Sequence, residues 1–278
     1  MDKPLHPLHW LRFAALAMSG ALLCACASAP SADVAAPTSS LVREFAPTGT
    51  LRAAINFGNP ILANKNAAGE PFGVSVDLAR ELGRRLGLPV ELVPFSAAGK
   101  VVEAVKAAQV DIAFVAVDPV RGADMAQTAA YIQIEGAYAV RQDSPLTDNA
   151  QVDAAGNRIM VARGSAYDLY LSRAIQTATL HYVATSQAVT DGMLAQKLEV
   201  AAGVKQQLEM DAKRIPGLRL LPGRFMVINQ AMGLPLGRGA AHAYLGAFVE
   251  DMKASGFVAQ SLARHGVQGA AVVPAAGR

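Results

Sequence analysis

The chain contains 278 residues, of which 52% are hydrophobic and 17% are charged. This balance excludes a disordered chain, which would lack the apolar surface needed to offset the entropy of ordering. The net charge is +3, and subtracting the net +1 of Lys3, Arg12 and Asp2 leaves +2 for the rest of the chain. Its basic residues are dispersed, whereas a nucleic-acid-binding protein concentrates them on one face, so we expect no nucleic-acid partner.

The first residues have the pattern of an export signal. Lys3 and Arg12 accompany an apolar run of small side chains at 13–25, as in secretory signal peptides. The run is marginal for a bilayer span, which needs about 20 residues. We therefore predict a signal peptide at 1–26. Because Pro, Ser and Ala dominate the residues that follow, we predict a flexible tether at 27–47.

Two cysteines lie at the end of the apolar run. Leu23-Cys24-Ala25-Cys26 resembles the lipobox of bacterial lipoproteins, in which the last cysteine is lipidated and becomes the new N-terminus. The resemblance implies a lipid on Cys26, membrane contact through that lipid anchor, and a periplasmic location. Ordinary cleavage at 27–29 and an uncleaved anchor helix are the alternatives, and all three place the body outside the cytoplasm. The body has no cysteine for a disulfide, a zinc site or a nucleophile.

Strands and helices alternate in the first part of the body. Residues 76–86 predict an amphipathic helix, because apolar side chains recur at the spacing of one helix face and Gly87 follows as a terminator. The other predicted elements are strands at 51–55, 90–95 and 110–117 and a helix at 99–108.

This alternation predicts βαβ units in a parallel sheet. Ligands bind such sheets beyond the carboxyl ends of the strands, which here are residues 56–59 and 118–121. The alternation restarts over 158–213, after a polar, turn-rich segment, so we expect a second α/β unit. The C-terminal part is predicted to be a helical segment at 239–265 and a loose tail at 269–278.

Several short motifs together resemble the bacterial solute-binding proteins of family 3, which serve polar amino acid ABC transporters. Gly69-Glu-Pro-Phe-Gly73-Val-Ser-Val-Asp77-Leu-Ala is similar to the family's first-lobe motif. Val110-Asp111-Ile112 and Asp118-Pro119-Val120-Arg121-Gly122 follow in the family's order. Met160-Val-Ala-Arg-Gly164-Ser165-Ala166 is similar to the motif of the second lobe.

The resemblance implies an α/β, two-lobed periplasmic-binding-protein-like fold (type II) with a ligand cleft between the lobes. Lobe 1 is expected at 48–140 plus 233–268 and lobe 2 at 141–232. Two crossing strands would join the lobes, with hinges at 138–141 and 229–232, and the lobes would close on the ligand.

Arg121 is the first ligand-binding candidate, because the family's arginine at this place holds the ligand carboxylate. A guanidinium offers a planar fork that fits a carboxylate; the alternative is a solvated arginine after a turn. Ser165 lies where a lobe 2 helix begins, so it can favour an anion or serve as a plain N-cap. Asp118 lies in the same loop as Arg121, with a structural ion pair as its alternative role.

The departures from the family suggest an unusual ligand. Asn56 stands where the family has an acidic residue for the ligand's amino group, Val204 matches the second acid, and Ala166 replaces a threonine. A buried ammonium without an anionic partner is costly, so we expect a small carboxylate and not a standard α-amino acid. The remaining cleft candidates, each of which could instead be core or turn, are Phe57, Asn59 and Phe114.

The sequence therefore predicts an extracytoplasmic solute-binding protein that passes a small-molecule ligand to an ABC permease. We expect a monomer with no cofactor, no metal and no enzymatic activity. The alternatives are a dehydratase-like enzyme of the same fold, with Asp118 or Glu135 as general acid, and a ligand-binding module that feeds a sensor.

Overall fold

The structure is a computed structural model that describes residues 37–277. The predicted signal peptide, Cys24 and Cys26 lie outside these residues. Among residues 37–277, no helix combines the length and apolar character needed to cross a bilayer.

Lobe 1 begins with a helix and a first set of α/β elements. Its core is packed around Leu51, Leu82 and Phe114, all inaccessible to solvent. The elements are α1 (Ser39–Phe45), β1 (Leu51–Asn56), β2 (Asn64–Lys65), β3 (Pro71–Phe72), α2 (Val74–Leu86), β4 (Val90–Phe95), α3 (Ala98–Lys106), β5 (Ala113–Ala116) and α4 (Pro119–Gly122).

Helix α2 confirms the helix predicted at 76–86. Its apolar positions lie on one face and are buried, and Gly87 ends it in the left-handed conformation with φ 66°, which glycine adopts at no steric cost. Strands β1 and β4 pair in parallel, and Ala53 bridges to Ile112 in the same sense. The predicted parallel βαβ arrangement is therefore present in lobe 1.

Two long strands pass between the lobes. They are β6 (Met125–Arg141) and β11 (Met226–Pro235), which pair with each other in antiparallel register. The elements between them are short 3₁₀ turns, β7 (Arg158–Ala162), α5 (Ala166–Ala174), β8 (Thr179–Val183), α6 (Val189–Ala195), β9 (Val200–Val204), α7 (Lys205–Arg214) and β10 (Leu218–Leu220). The chain then returns to lobe 1 as α8 (Gly239–Ala254), α9 (Phe257–Arg264) and β12 (Ala271–Val272).

The sheet topology confirms the two-lobed α/β fold. Eight strands form one sheet, with the order β5-β11-β6-β9-β7-β8 and with β10 and β12 also paired to β6. The second half of β6, at Gly136–Val140, pairs with β9 inside lobe 2. The boundary predicted at 140/141 and the hinge at 138–141 therefore stay predictions, with β9 already paired to β6 from Gly136 onward. The predicted hinge at 229–232 coincides with register shifts in β11 around Ala231.

The tether predicted at 27–47 is wrong over its C-terminal part. Thr38 caps α1 by accepting a hydrogen bond from the Leu41 N–H, and Phe45 is fully buried. The Phe45 ring meets Tyr244 of α8 edge to face at 5.8 Å. Glu44 accepts a hydrogen bond from the Ala241 N–H at 2.9 Å, which favours the start of α8. Residues 39–45 therefore belong to lobe 1.

The loose tail predicted at 269–278 is also wrong for most of its length. Ala271 and Val272 pair with β6, opposite Gln133 and Ile132. The Ala276 N–H donates to Glu250 at 2.7 Å, and Lys253 Nζ donates to the Pro274 carbonyl at 3.3 Å. These contacts hold part of the segment against the sheet and α8.

The two lobes touch at a pair of glycines. A Cβ placed on Gly99, in the first turn of α3, would lie 3.5 Å from the Gly164 Cα in the turn before α5. A larger side chain at position 99 would therefore meet the backbone of lobe 2. The structure shows the cleft closed at this point.

The burial of Phe45 predicts that α1 contributes to stability. We expect Phe45→Ala to lower the free energy of unfolding by about 3 kcal/mol, the typical cost of removing a buried ring. Urea unfolding of the two proteins measures this difference. Arg43→Ala, on the exposed side of the same helix, is the control and should change stability by less than about 0.5 kcal/mol. Equal effects of the two substitutions would show that α1 is a tether after all.

The glycine contact predicts that Gly99→Leu holds the lobes apart. Leucine favours the helix, but its side chain occupies the space of the Gly164 backbone. Small-angle scattering should therefore give a larger radius of gyration than the wild type, with an unchanged far-UV spectrum. The control is Gly246→Leu in α8, where an added Cβ meets nothing within 4 Å. An unchanged radius for Gly99→Leu would contradict lobe contact at this point.

Candidate functional site

A cleft lies between the lobes, where several strands end. The lobe 1 side is formed by the loop after β1, the start of α3 and the end of β5. The other side is formed by the turn between β7 and α5 and by the end of β9, as expected for an α/β site. About 30 Å³ of free space remains in the closed cleft. The lining residues are Asn56, Gly58, Asn59, Ala97, Ala98, Val115, Ala116, Arg121, Ala162, Arg163, Ser165, Ala166, Tyr167, Ser186, Val204, Ile228 and Gln230.

Arg121 is the central charge of the cleft and is only 2% exposed. Its Nη1 donates to the Ala116 carbonyl at 3.1 Å, and its Nη2 donates across the cleft to the Gly164 carbonyl at 2.9 Å. Its Nε is buried without a hydrogen-bond partner. Burial lowers the pKa of Arg121 to about 10, an effect that the charge of Asp118 partly opposes. The guanidinium therefore remains charged at neutral pH, and its Nε–H is available to a ligand.

The short helix α4 positions Arg121. Asp118 caps it by accepting a hydrogen bond from the Val120 N–H at 2.9 Å, and Pro119 occupies its first turn. The Asp118 carboxylate also pairs with Arg173 of lobe 2 at 2.8 Å. Asp118 was a ligand-binding candidate, but it is absent from the cleft lining because the cap and the ion pair occupy its carboxylate.

The turn before α5 forms the lobe 2 side of the site. Ser165 accepts a hydrogen bond from the Asp168 N–H at 3.0 Å and so caps the helix. Ser165 and Ala166, both predicted candidates, line the cleft. The Asp168 carboxylate accepts hydrogen bonds from the Gly164 N–H at 2.7 Å and from Ser172 at 3.1 Å. This acid therefore holds the turn together and is not part of the lining.

Asn56 and Asn59 are buried candidates that line the lobe 1 side. The Asn56 side-chain oxygen accepts from the Gly58 N–H at 2.9 Å, and that of Asn59 accepts from the Ile61 N–H at 3.2 Å. In each turn the side-chain oxygen is the acceptor, so the side-chain NH₂ group can donate a hydrogen bond to another acceptor. Both asparagines therefore contribute hydrogen-bond donors to the site.

Phe57 and Phe114 do not line the cleft, which corrects their expected roles. The Phe57 ring lies under the Lys65 ammonium at 4.9 Å, while its backbone carbonyl accepts a hydrogen bond from Gln187 of lobe 2 at 2.6 Å. Phe114 is fully buried in the lobe 1 core. The neighbouring residues Val115 and Ala116 form the wall instead.

Three polar lining residues were missed by the sequence interpretation. Arg163 lies over the Tyr182 ring at 4.1 Å, and Ser186 accepts a hydrogen bond from the Tyr167 hydroxyl at 3.0 Å. Gln230 is 3% exposed, and its Oε1 has no hydrogen-bond partner. A signal for Gln230 was present in the sequence, because it is a polar residue within the apolar strand Met226–Pro235.

The lining residues include two arginines and no aspartate or glutamate. Val204, at the position expected for an acid, lines the cleft with an apolar side chain. Asp211 lies within lobe 2, where it accepts a hydrogen bond from Thr190 at 2.8 Å and pairs with Arg214 at 3.3 Å. The part of the cleft that the structure describes is therefore suited to an anion.

Glu135, the other candidate general acid, lies outside the cleft. Its carboxylate contacts Arg224 at 2.7 Å and Lys205 at 2.9 Å. The hydrogen bond from Arg224, followed by that from Lys205, lowers the pKa of Glu135. A general acid at neutral pH requires the opposite shift. Within residues 37–277, no group of three His, Cys, Asp or Glu side chains is placed to bind a metal.

Solved structures with this fold include both binding proteins and a relative of an enzyme. The solute receptor for L-cysteine of Neisseria gonorrhoeae has a TM-score of 0.71 at 20% identity, covering 81% of this chain and 92% of the receptor. The substrate-binding protein of an amino acid ABC transporter scores 0.68 at 14% identity, with 78% and 98% covered. An ancestral amino acid-binding protein, a precursor of cyclohexadienyl dehydratase, scores 0.68 at 15% identity, with 80% and 97% covered.

A search of curated proteins found no match. The sequence profile of the bacterial extracellular solute-binding proteins, family 3, matches residues 51–268. This range contains lobe 2, most of lobe 1 and every lining residue of the cleft. The chain belongs to the bacterial extracellular solute-binding proteins of family 3.

Proposed function

We propose that this protein captures a small carboxylate-bearing solute outside the cytoplasm and delivers it to an ABC-type uptake system. The observation that carries the proposal is the buried Arg121 guanidinium, whose Nε–H has no partner, in a cleft whose described lining contains no acid. A carboxylate would accept from that N–H and offset the cost of burying the cation. Ser165 and the NH₂ groups of Asn56 and Asn59 supply further polar contacts.

The closed arrangement also supports a binding role. Arg121 of lobe 1 reaches the Gly164 carbonyl of lobe 2, and Asp118 pairs with Arg173 across the same gap. A ligand that contacts both lobes would stabilise the closed form over an open one. Transport through an ABC permease is the role that the family and one similar structure suggest for such closure.

Binding is favoured over catalysis by the state of the two candidate acids. Asp118 is held in an ion pair, and Glu135 is doubly paired outside the cleft. A dehydratase needs an acid that can reach its substrate and donate a proton. We therefore propose that the protein binds its ligand unchanged, although a similar structure is a precursor of a dehydratase.

We also propose that the mature protein is a monomer anchored by a lipid on Cys26. We expect Cys26→Ser to move the protein from the membrane fraction to the soluble periplasmic fraction, as followed by immunoblotting. Cys24→Ser is the matched control, because it leaves Cys26 available for lipidation. Retention of the Cys26→Ser protein in the membrane fraction would favour an uncleaved anchor helix.

Removal of the Arg121 guanidinium should abolish carboxylate binding. A thermal-shift screen of keto acids, dicarboxylates, aromatic acids and amino acids would first identify a ligand, and calorimetry would then compare the variants. We expect Arg121→Ala to weaken binding about 100-fold, because two charge-assisted hydrogen bonds are lost. Arg121→Lys keeps the positive charge but lacks the planar guanidinium, and it should weaken binding by a smaller factor. The exposed Arg80→Ala is the control. Unchanged affinity in both Arg121 variants would contradict the proposal.

A further inference from the structure

Gln230 and Arg121 both line the cleft, although the two residues are far apart in the sequence. In the antiparallel pairing of β11 with β5, Gln230 is directly opposite Ala116. The Ala116 carbonyl is the atom that accepts the hydrogen bond from Arg121 Nη1. The strand register therefore places the Gln230 side chain and the Arg121 guanidinium at the same end of the cleft, and both line it.

The two side chains present complementary unsatisfied groups. Arg121 Nε is a buried donor without a partner, and Gln230 Oε1 is a buried acceptor without a partner. Native structures rarely leave such groups unpaired, because each has lost its hydrogen bonds to water. A ligand that satisfies both must offer an acceptor to the guanidinium and a second polar group to the amide.

The electrostatics of the cleft require that second group to be uncharged. Arg121 and Arg163 are the ionisable cleft-lining side chains apart from Tyr167, whose pKa burial raises to about 12. An ammonium placed near Gln230 would meet the positive charge of Arg121 and a neutral amide, without the anion that its burial requires. A hydroxyl fits this position, because it can donate to the amide oxygen and accept from the amide NH₂.

We propose that Gln230 determines specificity by binding the hydroxyl of a 2-hydroxy acid whose carboxylate is held by Arg121. This inference rests on the proposed function, since it assumes that the cleft binds carboxylates. It adds a chemical class for the ligand and assigns its recognition to a residue on the strand that joins the lobes. The neutral amide offers no negative charge to an ammonium and thereby disfavours the corresponding α-amino acids.

Calorimetry with matched sets of acids tests the assignment. The probes are lactate, alanine and propionate; malate, aspartate and succinate; and phenyllactate, phenylalanine and 3-phenylpropionate. We expect the wild type to bind the hydroxy acid of at least one set about tenfold or more tightly than both the amino acid and the unsubstituted acid. A tenfold preference corresponds to about one hydrogen bond.

Two variants then separate the role of Gln230 from general disruption of the cleft. Gln230→Met is close in size but makes no amide hydrogen bond, so it should bring the hydroxy acid within about twofold of the unsubstituted acid. Gln230→Glu should supply the missing anion and improve the affinity for the amino acid relative to the hydroxy acid by about tenfold. Gln133→Met, an exposed glutamine on β6, is the matched control and should keep the wild-type preference.

The possible failures are distinguishable. If the wild type binds none of these carboxylates, both the proposed function and this inference are wrong. If carboxylates bind with dependence on Arg121 but the wild type prefers the amino acid, the proposed function stands and the role of Gln230 is overturned. The same conclusion follows if folded Gln230→Met, checked by its thermal unfolding without ligand, keeps the preference for the hydroxy acid.

Discussion

The burial of one guanidinium constrains the rest of this structure. A charged side chain that is removed from water must be compensated by hydrogen bonds or by an opposite charge. Arg121 receives two carbonyl partners, one from its own lobe and one from the Gly164 turn of the other. The second bond forms only when the lobes are close together. The hydrogen bonding of the Arg121 guanidinium therefore depends on the relative position of the two lobes.

The acids near the cleft show how its positive character is maintained. Asp118 is paired with Arg173, Asp168 is bound by the backbone of its own turn, and Asp211 is bonded within lobe 2. Each carboxylate has partners close by and is directed away from the lining. Arg121 consequently has no carboxylate of the protein in direct contact with it among the described residues. An anionic ligand can supply the charge that the protein itself does not place there.

The sequence was sufficient for features that depend on local periodicity. The apolar spacing at 76–86 and the terminator Gly87 predicted α2, and the loop position of Arg121 after a buried strand placed it in the cleft. Features that depend on tertiary pairing were not visible. The segment 39–45 follows a Pro- and Ser-rich region, and tertiary packing, including the Tyr244 contact, shows that Phe45 is core. Likewise, the tail at 271–272 is ordered by its register with β6, which composition does not reveal.

The same distinction explains the errors at the site. Phe114 and Val115 are both apolar residues of a buried strand, and the direction of each side chain depends on the sheets and helices around it. Gln230 was overlooked because the family motifs direct attention to loops after strands, whereas it lies within a strand that crosses between the lobes. Its strand register opposite Ala116 shows its relation to Arg121.

The closing contacts differ in the energy that they can provide. The Asp118–Arg173 pair includes an arginine that is about half exposed, and such pairs contribute about 1 kcal/mol or less. The Arg121–Gly164 bond is buried, but it leaves Nε and the nearby Gln230 amide oxygen unpartnered. Part of the gain from the Arg121–Gly164 bond is therefore offset by these two unpartnered groups. A ligand that satisfies both groups adds its binding energy specifically to the closed form. Ligand binding therefore shifts the equilibrium between the open and closed forms toward the closed one.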